Sequence, residues 1–250
     1  MKNPKISIIT VVKNNKDSIE KNIQSLINQS YKNYDHIIID GGSKDGTIEI
    51  IKKNKENVKY FISEKDGGIY HAMNKGIDQV QGDIIGILNA DDFYYPNALQ
   101  IVKEYFEKYS KIDFLFGSVD KYTVQHGYSP NKIYWTFGFY SSHSVGFFIK
   151  TDSQKRVGYY NTKYKYSSDY DLFYRMIVNL KMNGMATKKN EILGYFGPDG
   201  ISSRLKYINY LNENTQIRLD NGQNKLIVWC IHYLRFFKRI IKIIKEKNIK

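Results

Sequence analysis

Between residues 5 and 119, apolar runs of strand length alternate with segments of helical periodicity, and that order restricts the chain to few architectures. Residues 5–12, 36–39, 58–62, 83–88 and 113–119 read as strands. Residues 17–28 read as a helix with Ile19, Ile23, Leu26 and Ile27 on one face. Residues 47–53, 69–80 and 96–109 are also helical, the last with Pro96 in its first turn. Such repetition predicts an α/β fold, a mostly parallel sheet covered on both faces. Right-handed crossovers then bring the carboxyl ends of the first four strands to one rim. Open α/β sheets hold their ligands there. The second half is less regular: residues 133–139, 145–149 and 192–196 read as strands, 169–181 and 205–219 as helices, and 196–200 as a turn.

A chain of 250 residues, 42% hydrophobic and 25% charged, can bury a sizeable core and is not of disordered composition. Its one cysteine, Cys230, forms no internal disulfide, fits a reducing compartment and excludes a multi-cysteine zinc site. The start of the chain lacks the apolar length of a signal peptide, and no later run is apolar enough to span a bilayer. A cytoplasmic location is therefore expected. The formal charge of +13 is uneven: residues 225–250 hold eight Lys and Arg against one acid, Glu246. That concentration points to an anionic partner for the tail.

The motifs sit at the ends of the strands. Asn89-Ala90-Asp91-Asp92 closes the fourth strand with two adjacent carboxylates, which repel unless a cation binds between them and a ligand. A divalent metal carrying a substrate phosphate answers that need, and a solvated turn capping the next helix is the plainer alternative. After the second strand, Asp40-Gly41-Gly42-Ser43-Lys44-Asp45-Gly46-Thr47 offers close backbone approach, a carboxylate for a base or ribose, and helix caps at Asp45 or Thr47. After the third, Asp66-Gly67-Gly68 precedes a helix carrying Asn74 and Lys75, a setting suited to a nucleotide. Neither a phosphate-binding Gly-Lys-Ser/Thr loop nor a dinucleotide glycine fingerprint is present. Asp169, in Ser168-Asp169-Tyr170-Asp171, is either a helix cap or a general base. His143 precedes a strand and is either structural or a contact to phosphate, metal or acceptor.

The order of these pieces, from Thr10-Val11-Val12-Lys13-Asn14 through Asp40, Asp66, Lys75, Asn89-Ala90-Asp91 and Asp169, resembles the family 2 glycosyltransferases. The bacterial enzymes of capsule, O-antigen and exopolysaccharide synthesis look closest. The resemblance spans roughly residues 5–200. It implies the Rossmann-like GT-A fold, a nucleotide-sugar donor with UDP preferred, and inversion at the sugar carbon, a hexosyltransferase type of activity. By similarity, Thr10, Val12 and Asn14 line the nucleotide pocket, Asp40 reads the base, and Asp66 and Lys75 lie near the ribose and diphosphate. Asn89-Ala90-Asp91 looks like the Asp-X-Asp motif, with Asp91 the ligand of Mg²⁺ or Mn²⁺ and Asp92 and His143 as further candidates. Asn89 departs from the usual Asp; its amide bonds ribose hydroxyls but adds no charge. Asp169 matches the catalytic base.

These expectations divide the chain into a catalytic domain over residues 1–204, donor half 1–119 and acceptor half 120–204, and a helical extension over 205–250. Residues 229–245 fit one amphipathic helix. Trp229, Tyr233, Leu234, Phe237, Ile240 and Ile241 fall on one side, and His232, Arg235, Lys238, Arg239 and Lys242 on the other. That pattern predicts peripheral binding to the inner face of the cell membrane. The alternative is packing on its own domain or on a second subunit, as in a homodimer. A membrane site agrees with a glycan or polyprenyl-diphosphate-linked acceptor, which the resemblance implies. Three rivals remain: a nucleic-acid-binding protein, against which the acidic strand tips argue, a metal-dependent nucleotidyltransferase, for which a triphosphate-gripping loop is missing, and a degenerate membrane-bound scaffold, against which Asp91 and Asp169 argue.

Overall fold

The computed structural model describes residues 1–135, 139–197 and 207–247, with the side chains of 244–247 left aside. The alternating half gives β1 (Ile6–Val12), α1 (Lys16–Ile27), β2 (Tyr34–Asp40), α2 (Thr47–Lys53), β3 (Tyr60–Ser63), α3 (Ile69–Asp78) and β4 (Ile84–Ile87). β1 lies at the centre, parallel to β2 on one side and β4 on the other, with Val12 opposite Asp40 and Ile9 opposite Ile87. Every residue of β1 is buried, as a strand covered on both faces requires. Successive side chains serve opposite layers: Ile9 and Val11 join a core with Met73 of α3, and Ile6 and Ile8 join another. α3 approaches β1 closely at Gly76, where a Cβ would stand 2.4 Å from Cγ2 of Ile9. The expected rim follows, since β1 to β4 all run the same way.

Next come β5 (Phe93–Tyr94), α4 (Ala98–Lys108), β6 (Phe114–Phe116), β7 (Ser118–Lys121) and β8 (Thr123–Gln125). The single strand expected over 113–119 breaks at Gly117 into two strands of different sheets. Gly117 sits against the Leu193 side chain, and its N–H bonds the Gly146 carbonyl (2.7 Å) rather than continuing the ladder. β9 (Phe147–Lys150) then enters the main sheet antiparallel to both β4 and β6, a departure from the parallel order. α5 (Thr151–Val157), α6 (Ser168–Tyr174), β10 (Gly184–Ala186) and β11 (Ile192–Tyr195) complete this half. The main sheet has order β10-β6-β9-β4-β1-β2-β3, and β5-β11-β7-β8 form a smaller sheet.

Two further expectations change. Residues 130–135 form a 3₁₀ turn, not a strand, and 136–138 lie outside the described residues. Within that turn only Ile133 is buried, its carbonyl accepting the Tyr170 hydroxyl at 2.8 Å. The helix expected over 169–181 is α6 followed by a π turn over Arg175–Asn179. The expected 196–200 turn falls partly on residues 198–200, outside those described.

α7 (Tyr207–Asp220) and α8 (Lys225–Lys247) form a hairpin. α7 packs on α6 and buries Leu211, Asn214, Thr215, Ile217 and Arg218. α8 packs on α7 through Val228 and Ile231. Among the described residues no helix is long and apolar enough to cross a membrane.

Candidate active site

The loop leaving β4 is braced from below. The Asn22 amide of α1 donates to the carbonyls of Asn89 (2.9 Å) and Asp92 (3.0 Å). Asn22 Oδ1 in turn accepts from the Thr10 hydroxyl of β1 (3.3 Å), which also bonds His36 Nε2 of β2 (2.9 Å). Asp92 turns inward: Ser144 Oγ donates to Oδ2 at 2.5 Å and the Gly197 N–H to Oδ1 at 2.7 Å. Ser144 also accepts the Asn89 N–H at 2.9 Å, so one hydroxyl ties this loop to residues 142–146. The next residue, Val145, holds φ +65°, a conformation that a β-branched residue adopts at a cost of about 1–3 kcal/mol. It persists because its side chain is fully buried and its N–H bonds the Ile87 carbonyl at 3.0 Å. Burial, and then the neighbouring Asp91 charge, push Asp92 up to about 7. Asp91 is left in the wall of a cavity of about 710 Å³, with the Gly197 backbone packed so closely over it that a Cβ would lie 2.7 Å from the Asp91 carbonyl.

The first turn of α6 places Asp169 on the same cavity. The Tyr70 hydroxyl of α3 donates to Oδ1 (3.2 Å) and the Tyr140 hydroxyl to Oδ2 (3.3 Å). Burial first, and the Asp169 charge second, push both tyrosines far above their ordinary values, so they stay protonated donors. Tyr70 stacks on Tyr160 (5.6 Å between ring centres), whose hydroxyl bonds His143 Nε2 at 2.8 Å. Burial lowers the His143 pKa, keeping the ring neutral within an aromatic wall that includes Phe147 and Phe173. Asp171, two residues on, points elsewhere and pairs with Arg175 Nε at 2.9 Å.

Of the remaining sequence-derived candidates Asn89 lines this cavity, whereas Thr10, Val12, Asn14, Asp40, Asp66, Lys75 and Ala90 lie outside its lining. Thr10 and Val12 bury their side chains toward α1. Asn14 accepts the Lys44 N–H, and its own N–H donates to Ser43 Oγ. Asp40 is fully buried, accepting from the N–H groups of Gly42 and Ser43 and from the hydroxyls of Ser43 and Ser63. Asp66 accepts the Gly68 N–H and leans over Gly41, where a Cβ would stand 2.8 Å from its Oδ2. Lys75 pairs with Glu64 at 2.6 Å. Ala90 is buried with Val12 and Ile19. Asn89 lines the cavity, and its Oδ1 is buried without a hydrogen-bond partner.

Sequence reasoning missed the residues that hold these groups. Asn22 stands between Ile19 and Ile23 on the apolar face of α1, a polar intrusion that marks a buried network. Tyr70 and Tyr140 were indistinguishable among 22 tyrosines. Lys121 of β7 lines the cavity within the fields of Asp92 and Asp91, and burial, the larger effect, lowers its pKa. The hairpin supplies Tyr207, Tyr210, Arg235 and Arg239 to the wall. The two expected faces of the tail helix are separate: Arg235 and Arg239 turn toward the cavity, while Leu226, Tyr233, Leu234, Phe237 and Ile241 are exposed.

Among the described residues no three His, Cys, Asp or Glu side chains gather as a metal cage. Asp92 already accepts two hydrogen bonds, and His143 is committed to Tyr160. What fits is a hard cation that arrives with a diphosphate, keeps several waters and takes one or two protein carboxylates. Asp91, on the cavity wall, is the donor placed for that.

Comparison with known proteins agrees with this geometry. The model of glycosyl transferase family 2 matches residues 7–170. An uncharacterised glycosyltransferase of Rickettsia typhi is 30% identical over 188 residues, covering 70% of this chain and 59% of its own. Another, from Haemophilus influenzae, is 40% identical over 103 residues, 40% of this chain and 41% of its own. The chain thus spans less than two thirds of the length of these curated relatives. TarS of S. aureus in complex with UDP-GlcNAc superposes with TM-score 0.68 at 15% identity, covering 91% of this chain and 70% of that one. A mannosyltransferase of Pyrobaculum calidifontis in complex with GDP-Man and Mn²⁺ gives 0.65 at 16%, covering 92% and 70%. Match and fold together establish that the chain belongs to glycosyl transferase family 2.

Proposed function

We propose that the chain transfers a sugar from a nucleotide-sugar donor to a hydroxyl of a glycan or lipid-linked acceptor, inverting the anomeric carbon. The observation that carries this reading is the placement of Asp91 and Asp169, from different strand and helix ends, on one cavity. Asp169 removes the proton from the acceptor hydroxyl as its oxygen attacks the anomeric carbon and the bond to the donor diphosphate breaks. Attack from the face opposite the leaving group inverts that centre, the logic shared by inverting glycosidases. Tyr70 and Tyr140 fix the carboxylate for this step. Asp91 would hold Mg²⁺ or Mn²⁺, which supplies Lewis-acid neutralisation of the diphosphate. Lys121 adds a fixed positive charge beside Asp91. The unpartnered Asn89 amide oxygen suits a ribose hydroxyl. The rim bearing Asn14, Asp40, Asp66 and Lys75 is assigned to the nucleotide, with Thr10, Val12 and Ala90 building its floor. UDP is the preferred nucleotide; TarS has been captured with UDP-GlcNAc. Neither the nucleotidyltransferase nor the nucleic-acid reading gains support from the family match.

The exposed apolar face of α8, flanked by Lys238 and Lys242, supports peripheral docking on an anionic membrane surface and a role in surface polysaccharide synthesis. The deciding experiment for the core reading is thermal stabilisation by a panel of UDP-, GDP- and dTDP-sugars, with and without Mn²⁺. One donor is expected to raise Tm in a metal-enhanced way and to be slowly hydrolysed. A panel without any effect would refute the reading.

A further inference from the structure

Two arginines of α8 line the cavity, Arg235 half-buried and Arg239 exposed, and Lys165 lines it as well. Each guanidinium lies on a tyrosine of α7: Arg235 stands 5.8 Å from the Tyr210 ring centre, Arg239 5.6 Å from that of Tyr207. The Tyr207 hydroxyl also donates to the Arg235 carbonyl at 3.2 Å, which fixes the helix pair at this level. Among the described residues Arg239 has no carboxylate within ion-pair distance. The position of this wall is informative. Tyr210 lies in the fields of both Arg235 and Asp169, and Tyr140, bonded to Asp169, lies in the field of Tyr210. The arginines therefore stand on the Asp169 side. The Asp91 side, where the donor diphosphate belongs, has its own cation in Lys121.

Cations beside a general base are unhelpful to a neutral sugar acceptor, which needs only hydrogen bonds. They are what an anionic acceptor requires, because its charge would otherwise repel Asp169. Planar guanidinium forks match phosphate oxygens in pairs, and partial desolvation in a cavity strengthens that bond. Resting on the glycosyltransferase reading of this cavity, we propose that Arg235 and Arg239 bind a phosphate or diphosphate group of the acceptor, close to the hydroxyl that Asp169 deprotonates. The same helix carries Leu234, Phe237 and Ile241 on its exposed face, so a lipid-borne diphosphate reaches this wall from a bilayer, and a soluble phosphoglycan reaches it from the cavity mouth. One chemistry serves both sources.

The test is calorimetric, on the full chain held at saturating UDP and Mg²⁺ so that the donor pole is filled. The probes are inorganic pyrophosphate, geranyl diphosphate and geraniol. The expected result is that geranyl diphosphate binds the wild type and that R235Q/R239Q weakens it at least about tenfold, in the range of charge-assisted hydrogen bonds. K238Q/K242Q, which removes two other charges of the helix, is expected to bind within twofold of wild type. Pyrophosphate binding as well as geranyl diphosphate would point to a soluble phosphate source, and weaker pyrophosphate binding to a lipid source. R239Q alone, at an exposed position, serves if the double variant fails to fold, and the same direction is expected. Undiminished binding by the arginine variants, equal loss in the lysine variant, or no diphosphate binding by a chain that binds UDP would overturn the inference alone. A wild-type chain that binds no donor nucleotide would overturn the functional reading with it.

Discussion

Acid should weaken this protein at His36, and the size of the effect follows from its surroundings. The ring is 1% exposed. The Thr10 hydroxyl has one proton, which it gives to Asn22 Oδ1, so His36 Nε2–H must be the donor to Thr10. Nδ1 then carries the lone pair, buried and without a partner. A second proton would sit there with neither water nor acceptor, and burial accordingly lowers the pKa from 6.5 to about 3. Below pH 6.5 the unfolded chain binds a proton that the native chain refuses, so this stability is whole above the unfolded pKa and drains as pH falls toward 3. One proton corresponds to about 1.4 kcal/mol per pH unit, and the full gap to about 5 kcal/mol, comparable with the whole stability of a marginal domain. The assay is urea unfolding of wild type and His36→Gln between pH 7.5 and 4.5. The other histidines titrate alike in both chains and cancel in the difference. Wild type should lose about 1.4 kcal/mol per unit more than the variant below pH 6. Parallel stability curves would refute the argument. Because Thr10 and Asn22 connect His36 to the carbonyls of Asn89 and Asp92, the loop presenting Asp91 is expected to loosen first, seen as earlier loss of amide protection there.

Two other predictions address function. Asp169→Asn keeps the shape facing Tyr70 and Tyr140 but cannot take a proton; turnover should fall at least about a hundredfold while nucleotide affinity is nearly unchanged. Near-normal turnover would remove Asp169 from the role. Leu234→Asp with Phe237→Asp places charges on the exposed apolar face of α8 without touching Val228 or Ile231, and should abolish flotation with anionic vesicles. Equal flotation of variant and wild type would end the membrane proposal.

How much was legible depended on whether a residue's chemistry shows in one dimension. β1, β2 and β4 were readable because burial on both faces leaves a mainly apolar run, as in the fully buried β1, interrupted only by Ser7 and Thr10; the partly buried β3 was readable from its place in the alternation. Asp91 and Asp169 were readable because a carboxylate at the end of an apolar strand or the start of a helix stands out against its neighbours. β9 was found as a strand, but its antiparallel insertion was not, since direction is set by a loop whose turn depends on Val145 at φ +65° and on Ser144 reaching Asp92. Those are contacts between residues 52 positions apart, invisible to any local pattern. The tail shows the limit most clearly. A helical wheel separates two faces of α8 but does not say which faces the protein, and hydrophobicity alone would bury Leu234 and Phe237. The structure buries Val228 and Ile231 and continues that stripe through Arg235 and Arg239, whose guanidinium groups lie over Tyr210 and Tyr207. Long basic side chains can line a wet cavity while remaining charged, so a basic stripe is a sound choice wherever a helix crosses an active-site mouth. The apolar residues left outside then need another medium. On the two proposals above, one helix joins two tasks, docking on a surface and reading the anion brought to it, and altering either face should disturb one task without the other.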